Sequence, residues 1–583
     1  MPPTSKRWDI SPPVPRRQLD RLSQVHPLLV QILFNRGVTD PEDADAFLNG
    51  RARFDDPSRM RGIPAAVARI RAAIRAGEPI VVYGDFDADG VTSTALLVQA
   101  LTALGAHVSP YIPHRVDEGY GLHNDALDKI VSTGARLVIT VDCGIRSPVE
   151  VAHGQGLGLD MIVTDHHSIQ LDADGRDLLP PALAVINPKQ QADHYPFRDF
   201  AGVGLAFKLA QALLLAEQRG PILPAPPALE ERDLLDLVAL GTVADLAPLL
   251  GENRSLVQRG LAELNKPRRP GIQAMLEEAK VMSGKVDATA IGFVLGPRIN
   301  AAGRLKHAKL SYDLLTAPDS LTARPLAEEL AALNRERQNL TLAKVELAQQ
   351  QIAADRDGRG DQGDRYLYLV AHPDFESGIV GLVAGRLVED LYRPVLVAKI
   401  GDDETHGSAR SISEFNITAA LDECRELLVR HGGHAAAAGF AVKNENLETL
   451  RVRLEAIAER ELAGRNLMPS FSVDAEVALG DLDWALVEQL RQLEPCGYAN
   501  PQPVFASRGL EVLSARLVGS DGKHLKLAVR DPRTRTGMDA IAFRMGEWYG
   551  HLPSRVDLAY AVEINEFNGR RSLQLNVKDM RAA

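Results

Sequence analysis

Three aspartates stand at alternate positions in Tyr83-Gly84-Asp85-Phe86-Asp87-Ala88-Asp89-Gly90. Carboxylates this close oppose one another's ionisation unless cations sit among them. A solvated Asp-rich turn or a helix cap needs no such partner, and one run alone does not decide. The arrangement recurs, however: Leu137-Val138-Ile139-Thr140-Val141 ends in Asp142-Cys143-Gly144, and Met161-Ile162-Val163-Thr164 ends in Asp165-His166-His167. Carboxylates and imidazoles suit Mn²⁺ or Mg²⁺, where thiolates would point to zinc, and His166 tilts the preference towards Mn²⁺. Alternate aspartates face one side of an extended loop, so two or more can grip adjacent ions, and Asp142 arrives from a neighbouring strand to bridge them. Two ions about 3.5–4 Å apart activate a water and neutralise charge developing at phosphorus. The chemistry to expect is hydrolysis of a phosphoester or phosphoanhydride.

Such ligands need a frame. Ile80–Tyr83 reads as a buried strand, with Gly90 the turn into a helix over Thr92–Leu104. Strand-like runs at 106–112, 137–141, 161–164 and 182–186 alternate with helical patterns, which predicts an α/β fold with a mostly parallel, doubly wound sheet over residues 76–320. Active sites of such sheets form at the C-terminal ends of the strands, where these ligands stand. Residues 1–75 read as a preface to this catalytic core. A connecting helix at 321–357 carries an apolar seam of Leu326, Leu330, Leu333, Leu340 and Leu347, interrupted by Arg337 and Lys344, with Pro325 in its first turn. A smaller α/β module follows at 358–468, and short alternating strands over 469–583 predict a β-barrel of OB type.

The 583 residues suffice for three or four domains. No run approaches the about 20 apolar residues of a membrane span, and residues 1–17 lack the apolar core of a secretory signal. Cys143, Cys424 and Cys496 are too scattered for disulfide staples or structural zinc, which fits a reducing cytoplasm. Cys143 has no base at a recognisable spacing and reads as packing. A net charge of −11 argues against a polyanionic partner, but basic stripes interrupt it. Residues 1–75 hold thirteen Lys/Arg against eight Asp/Glu, Gly296–Lys309 holds four basic residues and no acid, and Arg508–Arg544 holds eight against four. Local stripes, not the total, attract phosphates.

Tyr83–Gly90, Val141–Gly144, Thr164–His167 and Gly241-Thr242-Val243-Ala244-Asp245 resemble, in order, the four motifs of the DHH phosphoesterase superfamily. Gly432-Gly433-His434-Ala435-Ala436-Ala437-Ala438-Gly439-Phe440 resembles the glycine-rich signature of its DHHA1 companion domain. Gly296–Arg304, Gly407-Ser408-Ala409-Arg410-Ser411 and the β-rich tail narrow the resemblance to the RecJ family of single-strand-specific 5′→3′ exonucleases. The resemblance implies two Mn²⁺ or Mg²⁺ ions on Asp87, Asp89, Asp142, His166 and Asp245, with Asp142 bridging. It implies catalytic roles for His167, at the scissile phosphate, and for Asp85, which completes the ligand cluster or supports the ligands from behind. Arg298, Asn300 and Arg304 would hold DNA phosphates, Arg115, Ser408 and Arg410 the 5′ end, and His434 a further phosphate contact. Tyr83 stands where pyrophosphatase-like members place a histidine ligand, which argues against that activity.

The activity so implied is hydrolysis of single-stranded DNA to 5′-mononucleotides, in recombination and in mismatch and base-excision repair. Single-strand-binding protein and a RecQ-type helicase are the partners implied, with a monomer the default and no membrane. A barrel would offer stacking surface to bases, for which Phe505, Phe543, Trp548, Tyr549 and Phe567 are the candidates. The alternatives are a DHH-type phosphatase of oligonucleotides or nucleotide bisphosphates, and a nucleic-acid-binding scaffold with a degenerate site. The first lacks a β-rich tail; the second would have lost ligands.

Overall fold

The computed structural model describes residues 6–50, 54–359, 365–519, 521–567 and 569–583. They fall into two compact units, one of Asp55–Asp245 and Arg259–Leu467, the other of Met1–Phe54, Leu246–Gln258 and Met468–Ala583.

The first unit is built on a parallel sheet of β1 (Ile80–Tyr83), β2 (Val108–Tyr111), β3 (Leu137–Val141), β4 (Asp160–Thr164) and β5 (Ala184–Ile186). Its spatial order is β2-β1-β3-β4-β5, every pair parallel. Every residue of β1 and β3 is buried, as continuous apolar runs require when both faces are covered. The order reverses between β1 and β3, and this is where a crevice opens beyond the strand ends. The helix Ala88–Ala103 packs against the helices Gly202–Arg219 and Leu235–Ala244. Cys143 joins the apolar cluster of Val81, Leu127, Val138, Met161 and Val163, a packing role as expected.

A helix of 40 residues, Ser320–Arg359, leads to the second sheet of this unit. It starts earlier than its proline suggested: Asp319 accepts from the Thr322 N–H at 2.8 Å and fixes the first turn, leaving Pro325 inside. Leu330 and Ala331 are buried towards its start, and Val345, Ala348 and Ile352 pack with the second module, but no residue from Arg335 to Lys344 is buried. That bare stretch spans about 15 Å of helix. Beyond it come β6 (Tyr368–His372), β7 (Val395–Ile400), β8 (Glu404–Arg410), β9 (Leu428–His434) and β10 (Ala437–Lys443), in the order β9-β10-β8-β7-β6.

The second unit holds a closed barrel of β11 (Phe505–Val518), β12 (His524–Arg530), β13 (Gly537–Ala542), β14 (Arg555–Phe567) and β15 (Arg570–Ala582). The strands run β11-β12-β13-β15-β14 and back to β11, with β13 and β15 parallel, a Greek-key closure of OB type. Phe505 and Trp548 lie in its core, whereas Phe543 and Tyr549 are half exposed, as are Leu513 and Leu517. The Phe567 side chain lies outside the described residues.

Residues up to Phe54 depart from the expected preface to the catalytic core. Arg7–Ile10 pairs in parallel with Ser470–Val473, and Leu29, Ile32, Leu33 and Phe47 share the barrel's core. Helical periodicity marks an apolar face without naming its partner, which is why the sequence left this open. Arg254, another arrival in this unit, donates to the carbonyls of Phe47, Gln492, Leu493, Glu494 and Pro495. Residues 55–75 do belong with the parallel sheet, through the helix Ile63–Ala76.

The aspartate run also differs from expectation. Asp87 caps the helix Ala88–Ala103, accepting from the N–H groups of Asp89 (2.9 Å) and Gly90 (3.1 Å), so Asp89 sits in the first helical turn and not on an extended loop. Gly90 is needed for space: a Cβ there would lie 2.5–2.6 Å from the Asp85 backbone. Gly90→Ala is therefore expected to cost about 1–3 kcal/mol. The reading is a lower urea midpoint at unchanged slope, and a wild-type midpoint would contradict the packing.

Candidate metal centre

Four chain segments deliver side chains to the crevice. Asp85 and Asp87 follow β1, Asp142 follows β3, His166 and His167 follow β4, and Asp245 ends the helix Leu235–Ala244. Asp142 holds a left-handed backbone (φ 63°), tolerable for aspartate and the kind of strain that functional sites retain. The Asp89 carboxylate accepts from the Gly202 (2.6 Å) and Val203 (2.8 Å) N–H groups at a helix N-terminus. Glycine lines the walls where side chains would intrude. A Cβ at Gly202 would meet the Asp142 carboxylate at 2.8 Å, and one at Gly241 would meet Asp89 Oδ1 at 2.9 Å.

His166 Nε2 lies 3.1 Å from Asp142 Oδ1, 3.8 Å from Asp245 Oδ2 and 3.9 Å from Asp89 Oδ2. Asp85 Oδ1, Asp142 Oδ1 and His166 Nε2 are all buried and have no hydrogen-bond partner. Burial first, then Asp87, pushes the Asp85 carboxyl up to about 8 and that of Asp89 up to about 7. Burial and Asp89 push Asp245 up to about 9 and hold Asp142 well above the carboxylate range. Burial, then the neighbouring His167, pulls His166 down to about 3. Unprotonated nitrogen and repelling, unpartnered oxygens converge, and that donor set fits divalent cations. Ligand atoms of Asp85, Asp87 and Asp142 form one close group, Asp89, His166 and Asp245 a second, and Asp142 meets His166 and His167 in a third. Asp142 is common to the first and third groups, and His166 to the second and third.

His167 is oriented differently. Its Nδ1 lies 2.7 Å from Asp165 Oδ1, and Asp165 in turn accepts from the backbone N–H of Ile145 and His167. Burial lowers the His167 pKa, but the Asp165 hydrogen bond and charge outweigh it and the net shift is upward. Tyr120, which the sequence reading missed, places its hydroxyl 3.0 Å from the same Nδ1 and donates towards the Asp142 carbonyl. Tyr83 takes no part: its hydroxyl donates to the Gly121 carbonyl and its ring stacks on Tyr111.

Arginines gather beside Asp87. The Arg115 guanidinium lies over the Phe86 ring at 4.1 Å, and Arg304 donates to the Gly378 carbonyl at 3.0 Å. Burial, then Arg115 and Arg337, with Arg410 also contributing, pulls Arg304 down to about 9. The sequence marked Arg337 only as a break in an apolar seam. Arg410 Nη2 and Ser408 Oγ face the first turn of the helix Val380–Leu391, where a Cβ at Gly381 would approach them to 3.1 and 3.4 Å. Asn300 Oδ1 accepts from the Ala88 N–H at 2.8 Å and so braces the aspartate turn. Arg298 is not brought to the cluster: it donates to the Val294 carbonyl, and its charged neighbours are Glu278 and Arg335. His434 lies near His167, Arg146 and Lys189.

Comparison with known proteins gives these segments a context. The DHH family N-terminal domain matches residues 79–242, the DHHA1 domain 363–460 and the RecJ OB domain 473–579. The single-stranded-DNA-specific exonuclease RecJ of Bacillus subtilis is 37% identical over 581 residues, covering 98% of this chain and 70% of the relative. The chain belongs to the RecJ family. A crystal structure of Thermus thermophilus RecJ with Mn²⁺ superposes with a TM-score of 0.81 at 30% identity, covering 99% of this chain and 80% of the other. The same protein with Mg²⁺ gives 0.76 at 29% identity, with 99% and 78% covered. The RecJ OB match coincides with the closed barrel, the DHH match contains every cluster residue except Asp245, and the DHHA1 match contains Ser408, Arg410 and His434.

The electrostatics make a prediction for this RecJ-family site. Carboxyls with raised folded pKa values stabilise the metal-free protein at low pH, and this stability is lost as pH rises through about 7 to 9. Metal must displace the same protons. The melting temperature of the EDTA-treated protein should fall from pH 6 to 9 while Mn²⁺ affinity rises, with proton release visible by calorimetry in buffers of different ionisation enthalpy. Proton-neutral, pH-independent Mn²⁺ binding would contradict this.

Proposed function

We propose that the protein is a metal-dependent exonuclease that hydrolyses single-stranded DNA from its 5′ end to 5′-mononucleotides. The observation that carries the reading is a buried, cation-fitting carboxylate cluster flanked by Arg115, Arg304 and Arg410 in one crevice. The names of the Bacillus relative and the Mn²⁺- and Mg²⁺-bound Thermus structures support both substrate and metal. Asp87, Asp89, Asp142, His166 and Asp245 would hold the ions, with Asp142 common to both and Asp85 completing the set. Bound there, the metals would supply an activated water and neutralise charge on the scissile phosphate.

The chain's own groups do the rest. His167, its Nδ1 held by Asp165, presents its Nε2 edge to the scissile phosphate. Arg410, Ser408 and Arg115 hold the 5′-terminal phosphate, and Gly381 keeps that pocket open. A terminal phosphate fixed there places the first phosphodiester at the cluster, which gives both the 5′→3′ polarity and mononucleotide products. Arg304 and His434 add phosphate contacts, while Asn300 serves by bracing the turn. Phe543 and Tyr549 of the barrel, both half exposed, supply stacking surface for unpaired bases. The family barrel disfavours a phosphatase of short oligonucleotides. Recombination and mismatch and base-excision repair would be its setting, in the cytoplasm, as a monomer fed by a RecQ-type helicase and single-strand-binding protein. No helix among the described residues is long and apolar enough to cross a membrane.

A 3′-labelled single strand should shorten from its 5′ end with Mn²⁺ or Mg²⁺ and stay intact in EDTA or as a blunt duplex. Asp142→Asn should reduce turnover at least about a hundredfold while strand binding persists. Arg410→Ala should raise KM about tenfold on 5′-phosphorylated strands and little on 5′-hydroxyl strands, the loss expected for a charge-assisted phosphate contact. Equal losses on both would contradict the terminal-phosphate pocket.

A further inference from the structure

Two groups of cations flank the ligand cluster. Arg115 and Arg304 stand at the Asp85–Asp87 end. At the other end Lys189 Nζ donates to the His166 carbonyl at 2.6 Å, and its charge acts on both His166 and Asp245. Arg146 Nε donates to the Ser168 carbonyl at 3.0 Å. Both cations are thus pinned to one turn, 166–168, by backbone carbonyls and not by acids. The loop bearing Lys189 is itself fixed. Buried Asn187 accepts from the Lys189 N–H at 2.9 Å and donates to the His167 carbonyl at 3.0 Å.

His434 faces this pair from β9. Burial first, then Arg146, His167 and Lys189, holds its imidazole pKa down. Among the described residues none of Arg146, Lys189 and His434 has a carboxylate at ion-pair distance. Arg146 and Lys189, two cations pinned to one turn in a chain of net charge −11, form a local positive field that an anion relieves.

We propose that Arg146, Lys189 and His434 form a second phosphate subsite, which takes the phosphodiester on the 3′ side of the scissile one. The proposal rests on the exonuclease reading. With the 5′-terminal phosphate at Arg115, Ser408 and Arg410 and the scissile phosphate at the cluster, the next phosphate falls at the Lys189 end. A trinucleotide is the shortest strand that has this phosphate, so substrate length is sensed there by charge and not by base.

The test is equilibrium binding in EDTA of a 5′-phosphorylated, 3′-fluorescein-labelled thymidine heptanucleotide, with and without a neutral methylphosphonate at its second phosphodiester. The wild type should lose about tenfold in affinity on that neutralisation, and Arg146→Gln/Lys189→Gln less than about threefold. Equal affinity of the wild type for both strands overturns the subsite, and so does the same tenfold penalty in the double variant. Lys189→Gln alone supplies the ratio should the double variant not fold. Each comparison is made within one protein and needs no turnover. A protein that binds in this pattern but leaves strands uncut would overturn the exonuclease reading alone.

Discussion

Mutual repulsion of buried carboxyls is the constraint on which the rest of this structure depends. Asp85, Asp89, Asp142 and Asp245 converge with no arginine inserted between them, and His166 points an unprotonated nitrogen at Asp142. In the absence of a cation, the space holds together only by keeping protons on acids that would ordinarily have lost them. The scaffold prevents the simpler escape of swinging apart. Asp89 is tied to the N-terminus of the helix Gly202–Arg219, and Asp142 is set by a left-handed backbone at the end of β3. Gly202 and Gly241 let two helices press close enough to keep the acids in place.

The same logic, with the sign reversed, shapes the crevice walls. Arg115, Arg304 and Arg410 are held in partly desolvated positions by a ring face, a carbonyl and one another's exclusion from water. The long helix joins the two sheets of this unit, and its segment between Arg335 and Lys344 is buried in neither core.

Much of this could be read from residue order alone, because strand ends announce themselves. Apolar runs followed by Asp or His located β1, β3 and β4 and the acids and imidazoles at their ends, and the switch in strand order then brought these side chains together. What failed to show was whatever depends on partners distant in sequence. The Arg7–Ile10 strand and the helix Pro27–Asn35 carry ordinary patterns, and nothing in them says that they complete the barrel unit. Asp87 as a helix cap competed with Gly90 as a turn, and the capping hydrogen bonds prevailed. Tyr120, Arg337 and Gly381 sit in stretches without motif character, and only packing reveals them. Arg298 illustrates the converse, a motif arginine whose side chain turns towards Val294 and Glu278, away from the ligands.

Anomalous diffraction at the manganese edge, from crystals grown with Mn²⁺, tests the central claim most directly. The account predicts two peaks about 3.5–4 Å apart, one among Asp85, Asp87 and Asp142 and one among Asp89, His166 and Asp245, with Asp142 touching both. A peak outside this group, or none while His166 Nε2 still faces Asp142 Oδ1 at 3.1 Å, would contradict it.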